Sequence, residues 1–358
     1  GIQDSEERVL QFDIQRTEEL FNGWKDKKFG ESKGLDALVG NRQLDVIIGG
    51  PPCQAYSVAG RIRDEHGMRE DYRNYLFESY LKVVQHYKPR VFVFENVPGI
   101  LSAKPGDGSV RIIDLIQKAF ADAGYAVLPD LSNAIIDMTE YGVPQNRKRI
   151  IILGVSKEHY GDKAEAMVEK FYSSYLPEYK IEKKATVRDA IGDLPKLRPL
   201  DEPISYLGRK LSHSVSDPLI NGHISRFHNK RDIELFKFLE EDIASGRMKY
   251  TSAKSLKTLY TKLTGKTSNV HKYYVLRWDE PSNLIPAHLF KDGLRHIHPD
   301  PEQARTITVR EAARLQTFPD NYYFNCSQTD AFKMIGNAVP PLFAKKVAYA
   351  IYHLIQEN

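Results

Sequence analysis

Residues 44–54 read LDVIIGGPPCQ, and this stretch indicates the fold of the chain. It begins as a short run rich in β-branched residues, typical of a buried strand, and continues into a turn of two glycines and two prolines. Similar strand-like runs recur at 91–94, 125–128 and 150–153. Between them, residues 74–87 and 110–123 carry apolar side chains at helical spacing. Strands that alternate with helices predict an α/β fold with a doubly wound, mostly parallel sheet.

Cys53 stands directly after the first of these strands. Doubly wound sheets bind their ligands at the carboxyl ends of strands, and the prolines stiffen the loop there. A cysteine in that position is a candidate nucleophile, because oriented backbone amides and nearby cations favour the thiolate. The alternative is a buried structural cysteine, which behaves as a small apolar residue.

Two further polar clusters border strands of the predicted sheet. Glu95 follows the run at 91–94, where a carboxylate is costly unless it is paired or used as an acid. The alternative is an exposed strand end. Arg147 and Arg149 alternate just before the run at 150–153, so we expect them to share one face and to bind a carbonyl oxygen or a phosphate.

Positive charge is concentrated in one region of the chain. The whole sequence of 358 residues has a formal net charge of +4, whereas residues 183–300 alone contain 21 Lys and Arg against 14 Asp and Glu. Such a region favours contact with phosphates, and the alternative is a solvated surface. The regular strand and helix pattern also ends near residue 186. We therefore predict a catalytic domain over 1–187, a smaller irregular domain over 188–300, and a return to the catalytic domain over 301–358.

Cysteine and histidine usage argues against disulfides and metal sites. The sequence contains only two cysteines, Cys53 and Cys326, too few for a disulfide framework or a cysteine-based zinc site. Three histidines lie close together in the sequence at 288, 296 and 298, but their spacing matches no zinc pattern, so we predict no bound metal. No apolar run has the length of a membrane span and no signal segment opens the chain, which favours a cytoplasmic, nucleoid-associated protein.

Five motifs, in this order, resemble those of the cytosine-C5 DNA methyltransferase family. They are Pro-Pro-Cys-Gln at 51–54, Glu-Asn-Val at 95–97, Gln-x-Arg-x-Arg at 145–149, a 305–319 stretch containing Thr-Val-Arg-Glu-Ala-Ala-Arg-Leu-Gln, and Gly-Asn-Ala-Val-Pro at 336–340. The segment 71–77 also resembles the family helix that lines the cofactor site. The resemblance extends over nearly the whole chain.

This resemblance implies a Rossmann-like methyltransferase that moves a methyl group from S-adenosylmethionine to carbon 5 of cytosine in a specific sequence of double-stranded DNA. The Cys53 thiolate is expected to add to carbon 6 of a flipped-out base. Glu95 is expected to hydrogen-bond the ring N3 and the exocyclic amine. Arg149, with Arg147 beside it, is expected to hold the O2 carbonyl and an adjacent phosphate. A restriction-modification system is the expected setting, and residues 188–300 correspond to the target-recognition region.

The resemblance also assigns binding residues. The expected cofactor contacts are Asp13, Ile14, Pro52, Leu76, Asn337 and Ala338. The expected DNA contacts are Gln54, Arg226, Lys230, Lys272 and Arg277. The target sequence does not follow from either set.

One element of the family pattern is missing from this sequence. Family members open with a strand and a Phe-x-Gly-x-Gly loop that holds the methionine end of the cofactor, whereas the one Gly-x-Gly here, at 106–108, lies elsewhere in the order. We expect either an incomplete sequence record or a complementary N-terminal polypeptide that supplies the missing strands. Three functional alternatives stay open: a non-catalytic DNA-binding relative, one subunit of a split methyltransferase, and a methyltransferase that acts on transfer RNA.

Overall fold

The computed structural model describes residues 9–51, 76–104, 110–215, 217 and 219–357. The chain divides into two compact units. The first comprises residues 1–136, 148–177 and 351–358, and the second comprises residues 137–147 and 178–350. Most of 301–358 belongs to the second unit, where it shares an apolar core described below. The division into a catalytic domain and a smaller irregular domain stays a prediction.

The first unit is built around a mixed sheet. Its strands, with those of a small antiparallel hairpin that precedes them, are β1 (Trp24–Asp26), β2 (Gly30–Ser32), β3 (Val46–Gly49), β4 (Val91–Asn96), β5 (Tyr125–Ala126), β6 (Ile135–Asp137) and β7 (Lys148–Ser156). Its helices are α1 (Thr17–Asn22), α2 (Gly34–Val39), α3 (Leu76–Tyr87), α4 (Ile112–Asp122), α5 (Lys157–Tyr160) and α6 (Lys163–Lys170). Short 3₁₀ turns at Pro98–Ser102 and Leu131–Ala134 and a π turn at Phe171–Tyr175 complete it.

The sheet is mixed, whereas the sequence pattern predicted a mostly parallel one. Strand β3 pairs with β4 in parallel, but β7 runs antiparallel to both β4 and β5. The connection from β6 to β7 explains the difference. It contains a 3₁₀ turn at Met138–Tyr141 and no α-helix. Because a parallel pairing needs a long crossover connection, usually a helix, this short connection favours an antiparallel β7.

Aromatic packing fixes the core of the first unit. Phe92 on β4 is fully buried and stacks near Phe120 of α4, with ring centroids 4.3 Å apart. Its partner in the strand register is Gly154 of β7. A Cβ atom at Gly154 would lie 2.0 Å from the Phe92 ring, so only glycine fits there. This close approach holds β4 and β7 in the register that positions the residues at their ends.

Tyr80 of α3 packs on the carboxyl end of β3. Its hydroxyl donates to the carbonyl oxygen of Val93 at 3.0 Å. A Cβ atom at Gly49 would lie only 2.4 Å from the Tyr80 ring, so the ring packs directly on this glycine. Burial raises the pKa of the Tyr80 hydroxyl well above its ordinary value, so this group stays a hydrogen-bond donor. The strand end that leads into residues 50–54 is therefore clamped from the helix side.

The second unit combines a hairpin with helices. Its strands are β8 (Pro199–Tyr206) and β9 (Arg209–His213), which pair antiparallel. Its helices are α7 (Val187–Ile191), α8 (Lys230–Ala244), α9 (Ala253–Thr264), α10 (Val309–Leu315) and α11 (Gln328–Asn337). Two 3₁₀ turns lie at Pro177–Tyr179 and Ala287–Phe290, and helix α12 (Pro341–Gln356) runs from this unit into the end of the chain.

Two apolar clusters form the interior of the second unit. One joins α7, α10 and α11 through buried residues such as Ile191, Ala312 and Phe332. The other joins α8 and α9 through Phe236 and Leu256. Because α10 and α11 bury their apolar faces against α7, residues 301–350 belong to the second unit.

Candidate functional site

Glu95 and Arg149 form an ion pair at the end of the mixed sheet. The Nε of Arg149 lies 2.9 Å from Oε1 of Glu95, and the two side chains are 13% and 21% exposed. The antiparallel register explains the contact, because Glu95 lies opposite Ile151 and Arg149 lies two residues away on the same face. The sheet therefore brings together two of the residues predicted to handle the substrate.

The loop after β3 begins against the same carboxylate. A Cβ atom at Gly50 would lie 3.0 Å from Oε2 of Glu95, and the side-chain amide of Asn96 donates to the carbonyl oxygen of Pro51 at 3.4 Å. Glycine at position 50 thus lets the backbone pass close to the acid. Strand β4 extends to Asn96, so Glu95 lies within the strand and not after it, as the sequence pattern had suggested.

Several predicted site residues lie outside the described part of the chain. They are Pro52, Cys53 and Gln54, together with the first residues of the 71–77 segment. Of that segment, Leu76 opens α3 and is buried.

Arg147 takes a position that the alternating pattern did not predict. It is 2% exposed, and its guanidinium donates to the carbonyl oxygens of Ala338 at 2.9 Å and Gly336 at 3.4 Å. We expected Arg147 to share a face with Arg149 and to help hold the substrate. Instead its donors bind backbone carbonyls of the second unit, because Arg147 precedes β7 and lacks the alternation of a strand.

Two glutamine side chains connect motifs of the second unit through hydrogen bonds. Gln145 donates to the carbonyl of Leu315 at 3.0 Å and accepts from the amide of Ile285 at 3.1 Å. Gln316 donates to the carbonyl of Ala338 at 2.6 Å, and Gln145 also donates to Gln316. Sequence reasoning did not assign these two glutamines. The signal that could have found them is that Gln145 opens the third of the five motifs and Gln316 lies in the fourth.

The predicted cofactor residues are distributed over both units. Asp13 is exposed on a turn, where its Oδ1 accepts from the amide of Gln15 at 3.0 Å, and Ile14 beside it is half-buried. In the second unit, Asn337 ends α11 with its side chain exposed, and Ala338 carries the carbonyl that Arg147 and Gln316 hold. Their role toward a cofactor stays a prediction.

Two of the predicted DNA contacts are engaged inside the second unit. Arg226 donates to the carbonyl oxygens of Leu289 at 2.7 Å and Phe290 at 3.0 Å, and its guanidinium stacks on the Phe332 ring. Burial lowers the pKa of Arg226 to about 10. Lys272 pairs with Asp292. These contacts give Arg226 a structural position that the basic pattern did not predict, because its Nη1 and Nη2 donate to backbone carbonyls. Its role toward DNA stays a prediction.

The other two predicted DNA contacts are more accessible. Lys230 begins α8 with its side chain 77% exposed and its Nζ 3.4 Å from Glu202. Arg277 is half-buried beside the Tyr274 ring, 6.0 Å from its centroid. Both can still reach a phosphate, and their role stays a prediction.

The histidines at 296 and 298 are structural within the described residues. The Nε2 of His296 lies 3.2 Å from the carbonyl of Leu284, and Nδ1 of His298 accepts from the amide of Asp300 at 3.1 Å. Burial lowers their pKa values to about 4 and about 3, so both rings are neutral at neutral pH. In the described part of the chain, no three His, Cys, Asp or Glu residues are placed to share a metal ion.

A cleft of about 460 Å³ in the second unit is a weaker candidate. Phe318 and Pro319 line it, and its one cation, Arg314, is paired with Asp320 at 2.7 Å and with Asp193. Of the predicted catalytic residues that the structure describes, none lines this cleft. The pair of Glu95 and Arg149 therefore remains the candidate active site. Among the described helices, none is long and apolar enough to cross a membrane.

Comparisons with known proteins agree on one family. The family model of the C-5 cytosine-specific DNA methylase matches residues 19–353. A type II methyltransferase of Bacillus paralicheniformis is 38% identical over 87% of this chain and 71% of its own length. The type II methyltransferase M.AgeI of Thalassovita gelatinovora is 32% identical over 91% of this chain and 86% of its own.

A solved structure supports the fold class. It is described as a DNA modification methyltransferase encoded within a prophage of E. coli, and it superposes with a TM-score of 0.61 at 22% identity, covering 97% of this chain and 86% of its own. The predicted α/β, Rossmann-like fold is thereby confirmed, with the sheet mixed in the described residues.

Proposed function

The chain belongs to the family of C-5 cytosine-specific DNA methylases, and from this premise we propose the chemistry of its site. It transfers a methyl group from S-adenosylmethionine to carbon 5 of a cytosine within a specific sequence of double-stranded DNA. Its setting is a restriction-modification system, as the type II names of its relatives indicate.

One observation carries the mechanism: the ion pair of Glu95 and Arg149 at the point where the chain enters residues 50–54. Cys53 follows Pro51 by two residues in the sequence, so the length of the chain limits how far its sulfur can lie from the carbonyl of Pro51, which Asn96 binds beside Glu95. A nucleophile, an acid and a cation are the groups that addition to a pyrimidine ring requires.

Cys53 is the proposed nucleophile. Carbon 5 of cytosine reacts poorly with an alkyl donor, so the Cys53 thiolate first forms a bond to carbon 6 and the electron pair of the ring double bond moves to carbon 5. After carbon 5 is methylated, its proton leaves to a base, the double bond reforms and the bond from sulfur to carbon 6 breaks. The thiolate is thereby restored for another turnover.

Glu95 and Arg149 act on the polar edge of the base. Glu95 hydrogen-bonds N3 and the exocyclic amine and shares a proton with N3 as the thiolate adds, which stabilises the negative charge that reaches the ring. Arg149 holds the O2 carbonyl and keeps the Glu95 carboxylate in place. A stacked base is out of reach of such a site, so the target cytosine is flipped out of the duplex at a cost of a few kcal/mol.

The donor set present in the chain suits the cofactor. Asp13 has one carboxylate oxygen bonded to the amide of Gln15, so its second oxygen suits the adenine amine, and Ile14 suits the face of the ring. Pro52, Leu76, Asn337 and Ala338 are the further proposed contacts. S-adenosylmethionine supplies an electrophilic methyl group when it is bound.

A covalent trap tests this proposal directly. The full chain is incubated with S-adenosylmethionine and a duplex in which 5-fluorocytosine replaces cytosine. A base cannot remove the fluorine at carbon 5 as it removes the proton there, so the covalent adduct persists. We expect a complex that survives denaturation, maps by mass spectrometry to Cys53 and is lost in Cys53→Ser. Cys326→Ser is the matched control, since Cys326 is an exposed free cysteine. An adduct at Cys326, or none at Cys53, rules out this mechanism.

A further inference from the structure

Helix α9 presents a stripe of cations to solvent. Lys254, Lys257 and Lys262 are exposed, and the exposed residues Thr258 and Thr261 lie between them. These five positions are spaced i, i+3, i+4, i+7 and i+8, so they lie on one face of the helix. We call the three lysines the lysine stripe.

The opposite face of α9 anchors the helix. Leu256 and Leu259 are buried in the cluster that also contains Phe236 of α8 and Val275. Ser252 caps the start, where its hydroxyl oxygen accepts from the amide of Ser255 at 3.1 Å, and Gly265 ends the helix with φ at +69°. The buried leucines and the two capped ends therefore hold α9 in an orientation that exposes the lysine stripe.

The sequence around the stripe contains no acidic residue. Residues 247–278 include eight Lys and Arg and no Asp or Glu over 32 positions. None of the three lysines of the stripe has an ion-pair partner among the described residues. Cations on other helices do find partners, as in Arg111 with Asp114, Lys118 with Asp122 and Lys333 with Asp330.

We propose that the lysine stripe binds the phosphate backbone of duplex DNA, an inference that rests on the proposed function. Lys254 and Lys262 are eight residues apart, which is about 12 Å along a helix. That length corresponds to roughly three to four phosphates of one strand at about 3.4 Å of rise each. Lysine ammonium groups are point charges that suit phosphate without reading a base, so the stripe positions the enzyme on DNA and leaves sequence recognition to other residues.

The composition of the stripe argues against a membrane surface. Helices that bind at a bilayer insert an apolar face next to their cations, whereas the apolar face of α9 is packed inside the protein. Short threonine side chains between the lysines also leave room for a phosphate strand to approach. Anionic vesicles are therefore the appropriate alternative ligand in the test.

The test measures the salt dependence of DNA binding. The triple variant K254Q/K257Q/K262Q and the wild-type chain are titrated with a fluorescent random-sequence duplex over a range of salt concentrations. Each lost phosphate contact makes the negative slope of log K against log salt shallower by about 0.9, so we expect the magnitude of the slope to decrease by about 2 to 3. Affinity near 0.1 M salt falls on the order of 10²-fold. The triple K254R/K257R/K262R is expected to keep the wild-type slope and shows that the charge, not the fold, is responsible.

A matched control removes the same charge elsewhere. K27Q/K163Q/K170Q replaces three exposed lysines outside the stripe, and its slope is expected to stay at the wild-type value. Equal slopes for the two Gln triples overturn the inference, as does loss of binding to phosphatidylserine vesicles without loss of duplex binding. If the wild-type chain binds duplex and transfers methyl groups, and K254Q/K257Q/K262Q has the wild-type salt dependence, the proposed role of the lysine stripe is wrong and the proposed function is not affected. A wild-type chain without duplex binding disproves the proposed function as well.

Discussion

Arg305 and Glu311 form a bidentate ion pair in the interior of the second unit. Two guanidinium nitrogens donate to the two carboxylate oxygens, each at 2.7 Å, and the side chains are 0% and 1% exposed. The same carboxylate accepts from the amide of Thr308 at 2.7 Å and so completes the capping box that begins α10. Burial alone raises the pKa of Glu311, but the charge and hydrogen bonds of Arg305 hold that pKa well below its ordinary value.

Glu311→Gln is expected to destabilise the protein by about 3–5 kcal/mol, because the buried charge of Arg305 then has no counterion. The measurement is urea unfolding followed by circular dichroism. Glu302→Gln is the control, since Glu302 pairs with Arg198 on the surface and such pairs contribute little. Equal losses in the two variants contradict a special role for the buried pair.

Glu240 on α8 predicts an unusual pH dependence. It is fully buried, and neither carboxyl oxygen makes a well-formed hydrogen bond within the described residues. Burial raises the pKa of Glu240 well above 4.5. The folded chain thus holds a proton that the unfolded chain releases, so stability falls as pH rises from about 4.5 toward the folded pKa.

Glu240→Gln is expected to remove this decline, because an amide does not titrate. Free energies of unfolding are compared with wild type at several pH values from about 5 to about 8. Histidines that stay neutral in the folded chain become protonated in the unfolded chain in the acid part of this range, but they are present in both proteins and cancel in the difference. Glu241→Gln, an exposed neighbour on the same helix, serves as the control. A constant difference between Glu240→Gln and wild type at all pH values contradicts the prediction.

Gly154→Ala tests the close contact in the first unit. The added methyl group meets the Phe92 ring, so we expect a loss of about 1–3 kcal/mol from overpacking. Phe92→Leu in the same chain relieves the clash and is expected to restore part of the stability, which makes the double variant less destabilised than the sum of the two single variants. Additive effects indicate that the contact is not tight.

Local pattern predicted four strands of the mixed sheet, β3, β4, β5 and β7, because short β-branched runs bounded by turn residues have few alternatives. It did not predict β6 or the strands of the two hairpins. It predicted Glu95 and Arg149 as site residues because both stand at strand ends. It did not predict strand direction, which depends on whether a helix fits into residues 135–147. The alternation that the pattern assumed does not extend to Arg147, because Arg147 precedes β7, and its role toward the substrate stays a prediction.

The lysine stripe shows the limit of composition as a guide. The composition of 183–300 predicts a phosphate-binding region, but it does not distinguish Lys254, Lys257 and Lys262 from other cations. Arg226 belongs to the same basic region, yet its Nη1 and Nη2 donate to carbonyl oxygens. Composition counts charges without telling which of them face solvent, and only the packing of Leu256 and Leu259 fixes the outward face of α9.

The last prediction concerns the coupling of Glu95 and Arg149. Glu95→Gln keeps the shape of the side chain but cannot share a carboxylic proton with N3, so we expect the single-turnover rate of methyl transfer to fall by about 10²–10⁴. Because Arg149 holds the Glu95 carboxylate, adding Arg149→Met to Glu95→Gln is expected to lower the rate much less than Arg149→Met alone does in the wild-type chain.

Glu158→Gln removes an exposed ion pair with Lys88 and is the control. DNA affinity is measured in parallel and is expected to change little in Glu95→Gln, which separates a chemical role from a binding one. Fully additive losses in the double variant mean that the two residues act independently, and the proposed division of roles at the base edge is then wrong.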